Sequence, residues 1–227
     1  ERWKHMDYRL DARKILLDAS RLLVVDLNGQ KVLLPGEQGF QKERGLELNL
    51  AYWVFPALET FAQIDPKGPW QKLIRSGLYL AETLALGPYR LPPDWVLWRT
   101  EEDPDVAPGR PARFGYEVIR APLYLAWSEQ RQSTLATRFL AYWNGYDTGK
   151  VPAWISLVTD DKANYPAPAG FDAVYQLVSF DAQKQSGKDS ELAPPSLTLN
   201  TPVANQDYYS ASLSLLAKLA MNERFNP

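Results

Sequence analysis

The sequence predicts an all-α fold, a toroid of helical hairpins carrying one small β-hairpin near residues 24–34. Three observations predict it. Apolar stripes at helical spacing recur along the chain. The connections between them are long and rich in aromatic residues, as in a toroid whose loops line a cleft; periodicity alone fits an α-solenoid equally. One Asn-Gly pair lies between two short apolar runs, the strongest short hairpin signal. No stretch reads as a linker, so residues 1–227 form one domain. No fixed-length repeat of the tetratricopeptide or HEAT kind is present.

The elements follow in order. Residues 7–25 read as a helix with Ala12, Ile15, Leu16, Ala19, Leu22 and Leu23 on one face. Residues 24–34 turn at Asn28-Gly29. A second helix spans residues 48–64 and is kinked or restarted at Pro56. A third spans 69–86, with Trp70, Leu73, Ile74, Gly77 and Leu84 on one face and Pro69 in its first turn. Residues 91–100 are extended after two prolines, and 101–113 form a polar loop. Further helices are predicted at 121–129, 131–143, 170–182 and 207–221, making seven. Residues 183–202 read as a long polar, proline-rich loop.

Composition excludes several function classes. Hydrophobic residues make up 45% and charged residues 23%, ordinary for a globular protein. A net charge of -2 argues against nucleic acid, whose phosphates need a basic face. No apolar run is long enough to cross a bilayer, and the opening residues, "ERWKHMDYRLDARK", do not form a signal peptide. With no cysteine, disulfides and thiolate metal sites are excluded. A single histidine, His5, argues against a His-rich metal site or a Ser-His-Asp triad. Neither a cofactor nor a metal is expected. The excess is aromatic: 8 Trp, 12 Tyr and 8 Phe. Such rings build cores and also stack against sugars.

The segment "FGYEVIRAPLYL" poses the sharpest chemical question. Glu117 sits among apolar residues, three positions before Arg120, at the start of a predicted buried helix. The pair reads in two ways: as an ion pair buried at the helix start, or as polar groups lining a cleft.

Five motifs, "LPGEQGF", "LNLAYWVFPALETF", "GPYRLPPDWV", "FGYEVIRAPLYL" and "NQDYYSASLSLLAKLA", stand in the order found in glycoside hydrolase family 8. The chain resembles that family over nearly all its length, and most of all the cellulases of bacterial cellulose-biosynthesis operons. The resemblance implies an (α/α)6 barrel and a secreted or periplasmic inverting endo-β-1,4-glucanase whose partner is a β-1,4-glucan chain. It also implies an N-terminal region with a general-acid glutamate and an Ala-Ser-Asp-Gly-Asp type of signature, neither of which occurs in these residues. On that reading the chain is the C-terminal part of an incomplete barrel, and the missing segment or a second chain covers the helix at 11–25.

The resemblance implies site residues as well. Glu117 occupies the position of the catalytic base, usually aspartate within Tyr-Asp-Ala-Ile-Arg, and Arg120 orients it. An inverting enzyme needs such a carboxylate to activate water, with an acid roughly 6.5–9.5 Å away across the scissile bond. Asn49 and Tyr52 match the ends of an Asn-Pro-Ser-Tyr pattern whose middle differs here, and Tyr52 would contact sugar or the attacking water. Asp94 and Trp95 would shape a loop beside the cleft. Of Tyr208 and Tyr209, one would face the cleft and one the core. Trp53, Trp98 and Trp143 are weaker sugar-stacking candidates. Two alternatives stay open: a catalytically impaired glycan-binding relative, prompted by Glu in place of Asp, and an α/α-toroid lyase or epimerase acting on another polysaccharide, which would need a Tyr or His base and more basic residues.

Overall fold

Seven α-helices account for about half of the described residues in a computed structural model that describes residues 6–100, 102–130, 134–147, 149–159, 161–185 and 205–225. They are α1 (Met6–Leu23), α2 (Phe55–Ile64), α3 (Trp70–Thr83), α4 (Arg120–Trp127), α5 (Thr134–Asn144), α6 (Ala169–Gln185) and α7 (Tyr208–Phe225). His5 and most of the polar stretch at 183–202 lie outside the described residues. Pro56 restarts the helix rather than kinking it: Leu50–Tyr52 form a short 3-10 turn, and α2 then begins with Pro56 in its first turn, where a missing N–H costs nothing.

α4 is the hub, packed against α2, α5, α6 and α7. Its residues from Ala121 to Ala126 are all buried, the pattern of a helix apolar all round. The helices α6 and α7 run parallel, with Gly170 against Ser210 at their starts and Asp181 against Arg224 at their ends, and they meet closely at Gly170. A β-carbon there would stand 2.6 Å from the Ser210 carbonyl oxygen, and the Gly170 N–H donates to Ser210 Oγ at 2.6 Å. One continuous core runs through the molecule, and Trp53, Trp70, Trp98, Tyr142, Phe114, Phe139 and Phe171 are fully buried in it. Trp53 and Trp98 therefore cannot stack on a sugar. Trp143 is half-buried and already lies parallel to Tyr175 at 5.3 Å. Among the described residues no helix is long and apolar enough to cross a membrane.

The hairpin forms where Asn-Gly places it. β1 (Val24–Leu27) pairs with β2 (Gln30–Leu33), and Asn28 and Gly29 take φ of 50° and 75°, as a two-residue primed turn requires. The first helix correspondingly stops at Leu23, two residues before the predicted end, because Val24 and Val25 join the hairpin. The sequence did not announce a four-stranded antiparallel sheet: β3 (Gln41–Lys42), β4 (Gly45–Leu48), β5 (Val96–Trp98) and β6 (Asp105–Val106). A third pair joins β7 (Arg113–Phe114) to β8 (Ile155–Ser156). These small sheets position the site. Leu48 pairs with Val96, so Asn49 and the Asp94-Trp95 segment leave the same sheet end. Phe114 pairs with Ile155, so Gly115 comes opposite Trp154.

Candidate active site

Glu117 lies in the turn between β7 and α4. Its Oε2 accepts from Arg120 Nη2 at 2.7 Å, and Arg120 Nε donates to the Glu117 carbonyl oxygen at 3.2 Å. The side chains are 40% and 28% exposed. The pair is thus not in the core; it sits at the surface of the hub helix, where water reaches the carboxylate. Asn49 approaches the same Oε2 with its Nδ2 at 3.5 Å. Asn49 itself is fully buried, and its Oδ1 accepts from the Ala51 N–H at 2.9 Å, capping the 3-10 turn and fixing the amide's direction. That turn leaves Tyr52 40% exposed, with its ring 5.8 Å from the Arg120 guanidinium.

On the other side, α7 begins with Tyr208 and Tyr209, and they diverge. Tyr208 is 89% exposed. Tyr209 is half-buried against Tyr116 and Phe171, and its hydroxyl donates to the Tyr116 carbonyl oxygen at 2.5 Å. Burial pushes the Tyr209 hydroxyl well above the usual phenol range; Arg120 opposes this, while Asp94 and Glu117 add to it. The hydroxyl is therefore a permanent donor at neutral pH. Tyr116 is likewise pushed up to about 12, chiefly by burial and then by its hydrogen bond with Tyr165.

Asp94 lies beneath Glu117 and is 3% exposed. Its Oδ1 accepts from the N–H groups of Glu117 and Val118, both at 3.1 Å, and its Oδ2 accepts from Arg113 Nε at 3.2 Å. Burial raises its carboxyl above the usual carboxylate range, and the hydrogen bonds from Val118, Arg113 and Glu117 offset that only in part. Its side chain points into the protein rather than toward a sugar. Trp95 beside it is engaged in packing, parallel to Phe40 at 6.0 Å and 4.4 Å from the Arg110 guanidinium.

The fold thus gathers Glu117, Arg120, Asn49, Tyr52 and Tyr209 around one carboxylate, supports them with Asp94, and leaves Tyr208 and Trp95 outside that group. Four neighbours went unremarked in the sequence: Arg113, Tyr116, Trp154 and Tyr165. Arg113 lies 5.8 Å from the Trp154 ring, and a β-carbon on Gly115 would meet Trp154 Cβ at 3.0 Å. Tyr116 could have been found by adjacency to Glu117. The others are brought in by the pairing of β7 with β8, which leaves no local trace. Among the described residues no group of three or more His, Cys, Asp or Glu side chains could hold a metal ion. Chemically, the arrangement offers a solvent-accessible carboxylate, oriented by a guanidinium and an amide and flanked by tyrosines, that can take a proton from a bound water.

Residues 1–223 match the profile of glycosyl hydrolases family 8. A probable endoglucanase from Novacetimonas hansenii is 33% identical over 224 residues, covering 98% of this chain and 62% of that protein. Among solved structures, the endo-beta-1,4-glucanase CMCax from Acetobacter xylinum superposes with a TM-score of 0.85 at 32% identity, over 98% of this chain and 66% of that one. The endoglucanase Cel10 from Klebsiella pneumoniae, a family 8 glycosyl hydrolase, superposes with a TM-score of 0.82 at 30% identity, over 98% and 67%. The chain therefore spans just under two thirds of the Novacetimonas relative and of CMCax.

Proposed function

The chain belongs to the glycosyl hydrolases family 8, and from that premise we propose that it serves an endo-β-1,4-glucanase that cleaves β-1,4-glucan with inversion, with Glu117 as base. The observation that carries the reading is the Glu117 carboxylate, tied to Arg120 at 2.7 Å yet 40% exposed, within the "GYEVIR" segment. A bound water gives its proton to Glu117 as its oxygen attacks the anomeric carbon. A second carboxylic acid on the opposite side protonates the leaving glycosidic oxygen. Glutamate reaches about 1.5 Å farther than aspartate. The i,i+3 bond to Arg120 and the approach of Asn49 curl it back. Tyr52 and Tyr209 flank the place where the sugar must lie.

Proton NMR on a fresh digest of a soluble cello-oligosaccharide tests this. Inversion releases the α-anomer first. If the β-anomer appears first, the enzyme is retaining and the single-displacement role of Glu117 is wrong. Binding of the oligosaccharide without turnover supports instead a glycan-binding relative, which glutamate in the aspartate position favours. The polymer lies outside the cytoplasmic membrane, so we place the enzyme in the periplasm or the medium of a cellulose-making bacterium.

We also infer that α1 packs against a further segment of the family 8 fold, on the same polypeptide or a second one. Leu16 turns into the core, but Tyr8, Ile15 and Leu22, seven residues apart, form a second stripe exposed by 62%, 68% and 37%. Leu17 is equally open. Replacing Ile15 and Leu17 with Lys should then lower the melting temperature or disrupt association. On a fully solvated helix the same change stays within about 0.5 kcal/mol, and that result removes the inference.

A further inference from the structure

We propose that Asp94 is a positioning residue for Glu117, setting the direction of its carboxylate through the backbone of residues 117 and 118; the inference rests on the reading of Glu117 as base. Asp94 is 3% exposed and so cannot touch substrate. One carboxylate oxygen holds two consecutive N–H groups, those of Glu117 and Val118, each at 3.1 Å. The other oxygen holds Arg113 Nε at 3.2 Å, while the Asp94 N–H donates to the Arg113 carbonyl oxygen at 2.8 Å. Asp94 is therefore bound to the chain on both sides of the Gly115-Tyr116 step. That step has no slack: a β-carbon on Gly115 would lie 3.0 Å from Trp154 Cβ and 3.4 Å from Asp94 Oδ2.

An ordinary helix start is capped by its own preceding residue. α4 has no such cap, because Ile119 offers no side-chain acceptor. Asp94, 23 residues before Glu117 and at the entrance to β5, instead supplies an acceptor to the amides of Glu117 and Val118, in the turn that leads into α4. The register of β4 on β5 brings Asn49 to that same sheet end. The backbone of Glu117, held by Asp94, and its carboxylate, faced by Asn49, are thus referenced to one rigid support. A buried carboxylate is costly unless fully satisfied. Asp94 meets that condition with three donors, two of which are the amides that begin the turn bearing Glu117.

The experiment compares D94A and D94N with the unmodified enzyme, each made in the complete protein with its general acid. It reads kcat and KM on a soluble β-1,4-glucan, the backbone amide proton shifts of Glu117 and Val118, and the melting temperature. Asparagine keeps an acceptor for the two amides; alanine keeps none. The expected result is that D94A shifts both amide resonances and loses kcat by about 10²-fold, the scale of a 1 Å misplacement, with KM changed less than about twofold. D94N keeps the amide shifts and suffers a clearly smaller loss. A D94A protein that melts lower but retains kcat makes Asp94 only a cap and overturns the proposal. So does D94N losing as much kcat as D94A with its amide shifts intact, because Arg113 rather than the amides would then be the route. If D94A does not fold, D94N decides: loss of kcat with unmoved amide shifts overturns the proposal, and near-retention of both upholds it. A parallel E117Q measurement separates the premise. Turnover unaffected by E117Q removes the base reading, whereas turnover lost in E117Q but kept in D94A removes only the role of Asp94.

Discussion

Replacing Glu117 with Gln in the complete protein should lower kcat on a soluble β-1,4-glucan by about 10²–10⁴-fold, the usual contribution of a positioned general base. Affinity for the glucan and thermal stability should stay close to those of the unmodified chain. The amide is isosteric and can still accept from Arg120 through its carbonyl oxygen, so the local geometry survives; it cannot take the proton of the attacking water. The stability arm follows from exposure. With side chains 40% and 28% exposed, the Glu117–Arg120 pair is a solvated i,i+3 bridge, and such pairs contribute about 0–1 kcal/mol. A buried ion pair stripped of one charge behaves differently and costs about 3–5 kcal/mol. Measuring rate, affinity and melting temperature together separates the cases. Full activity in the variant takes Glu117 out of the mechanism. A large fall in melting temperature means that the pair is structural.

That choice between an ion pair in the core and a cleft-lining carboxylate was not legible in the sequence, and the reason is physical. "FGYEVIRAPLYL" shows that Glu117 enters an apolar helix, but the side on which water reaches it is decided by α2, α6 and α7 around α4. The helices themselves were legible because each carries apolar residues at helical spacing over two turns or more. The hairpin was legible because Asn28-Gly29 must take positive φ, and few other pairs do so readily. The strands from β3 to β8 span two to four residues each. At that length no alternation can build up, and pairing with a distant partner decides the conformation. The role of Asp94 was hidden for the same reason. "LPPDWV" reads as a turn, and only the register of β5 and the contact with Arg113 bring its carboxylate under Glu117. The aromatic excess misled in one respect: Trp53 and Trp98 read as sugar-stacking candidates, yet both are core residues.

Trp53 in particular should show the largest stability effect of any single truncation near the site. Trp53→Ala is expected to cost about 3–5 kcal/mol. For a chain of this size that lowers the melting temperature by roughly 6–20 °C, at about 2–4 °C per kcal/mol. The indole is fully buried, and its Nε1 donates to the Leu73 carbonyl oxygen at 2.9 Å. It fills a slot made by Gly77 in the middle of α3: a β-carbon at Gly77 would lie 2.3 Å from Trp53 Cδ1. The glycine is costly in a helix interior by about 1 kcal/mol against alanine, and the indole it admits offsets that. Gly77→Ala should therefore destabilise the protein despite its better helix propensity, whereas on a solvated helix face it would stabilise. Trp53 also directly follows the 3-10 turn that presents Asn49 and Tyr52. Losing it should weaken glucan binding below the melting transition as well. A Trp53→Ala protein melting within about 2 °C of the unmodified chain, under 1 kcal/mol by the same scale, would show that the slot closes around the missing ring and that the contact between α3 and the 3-10 turn does not hold Tyr52 in place.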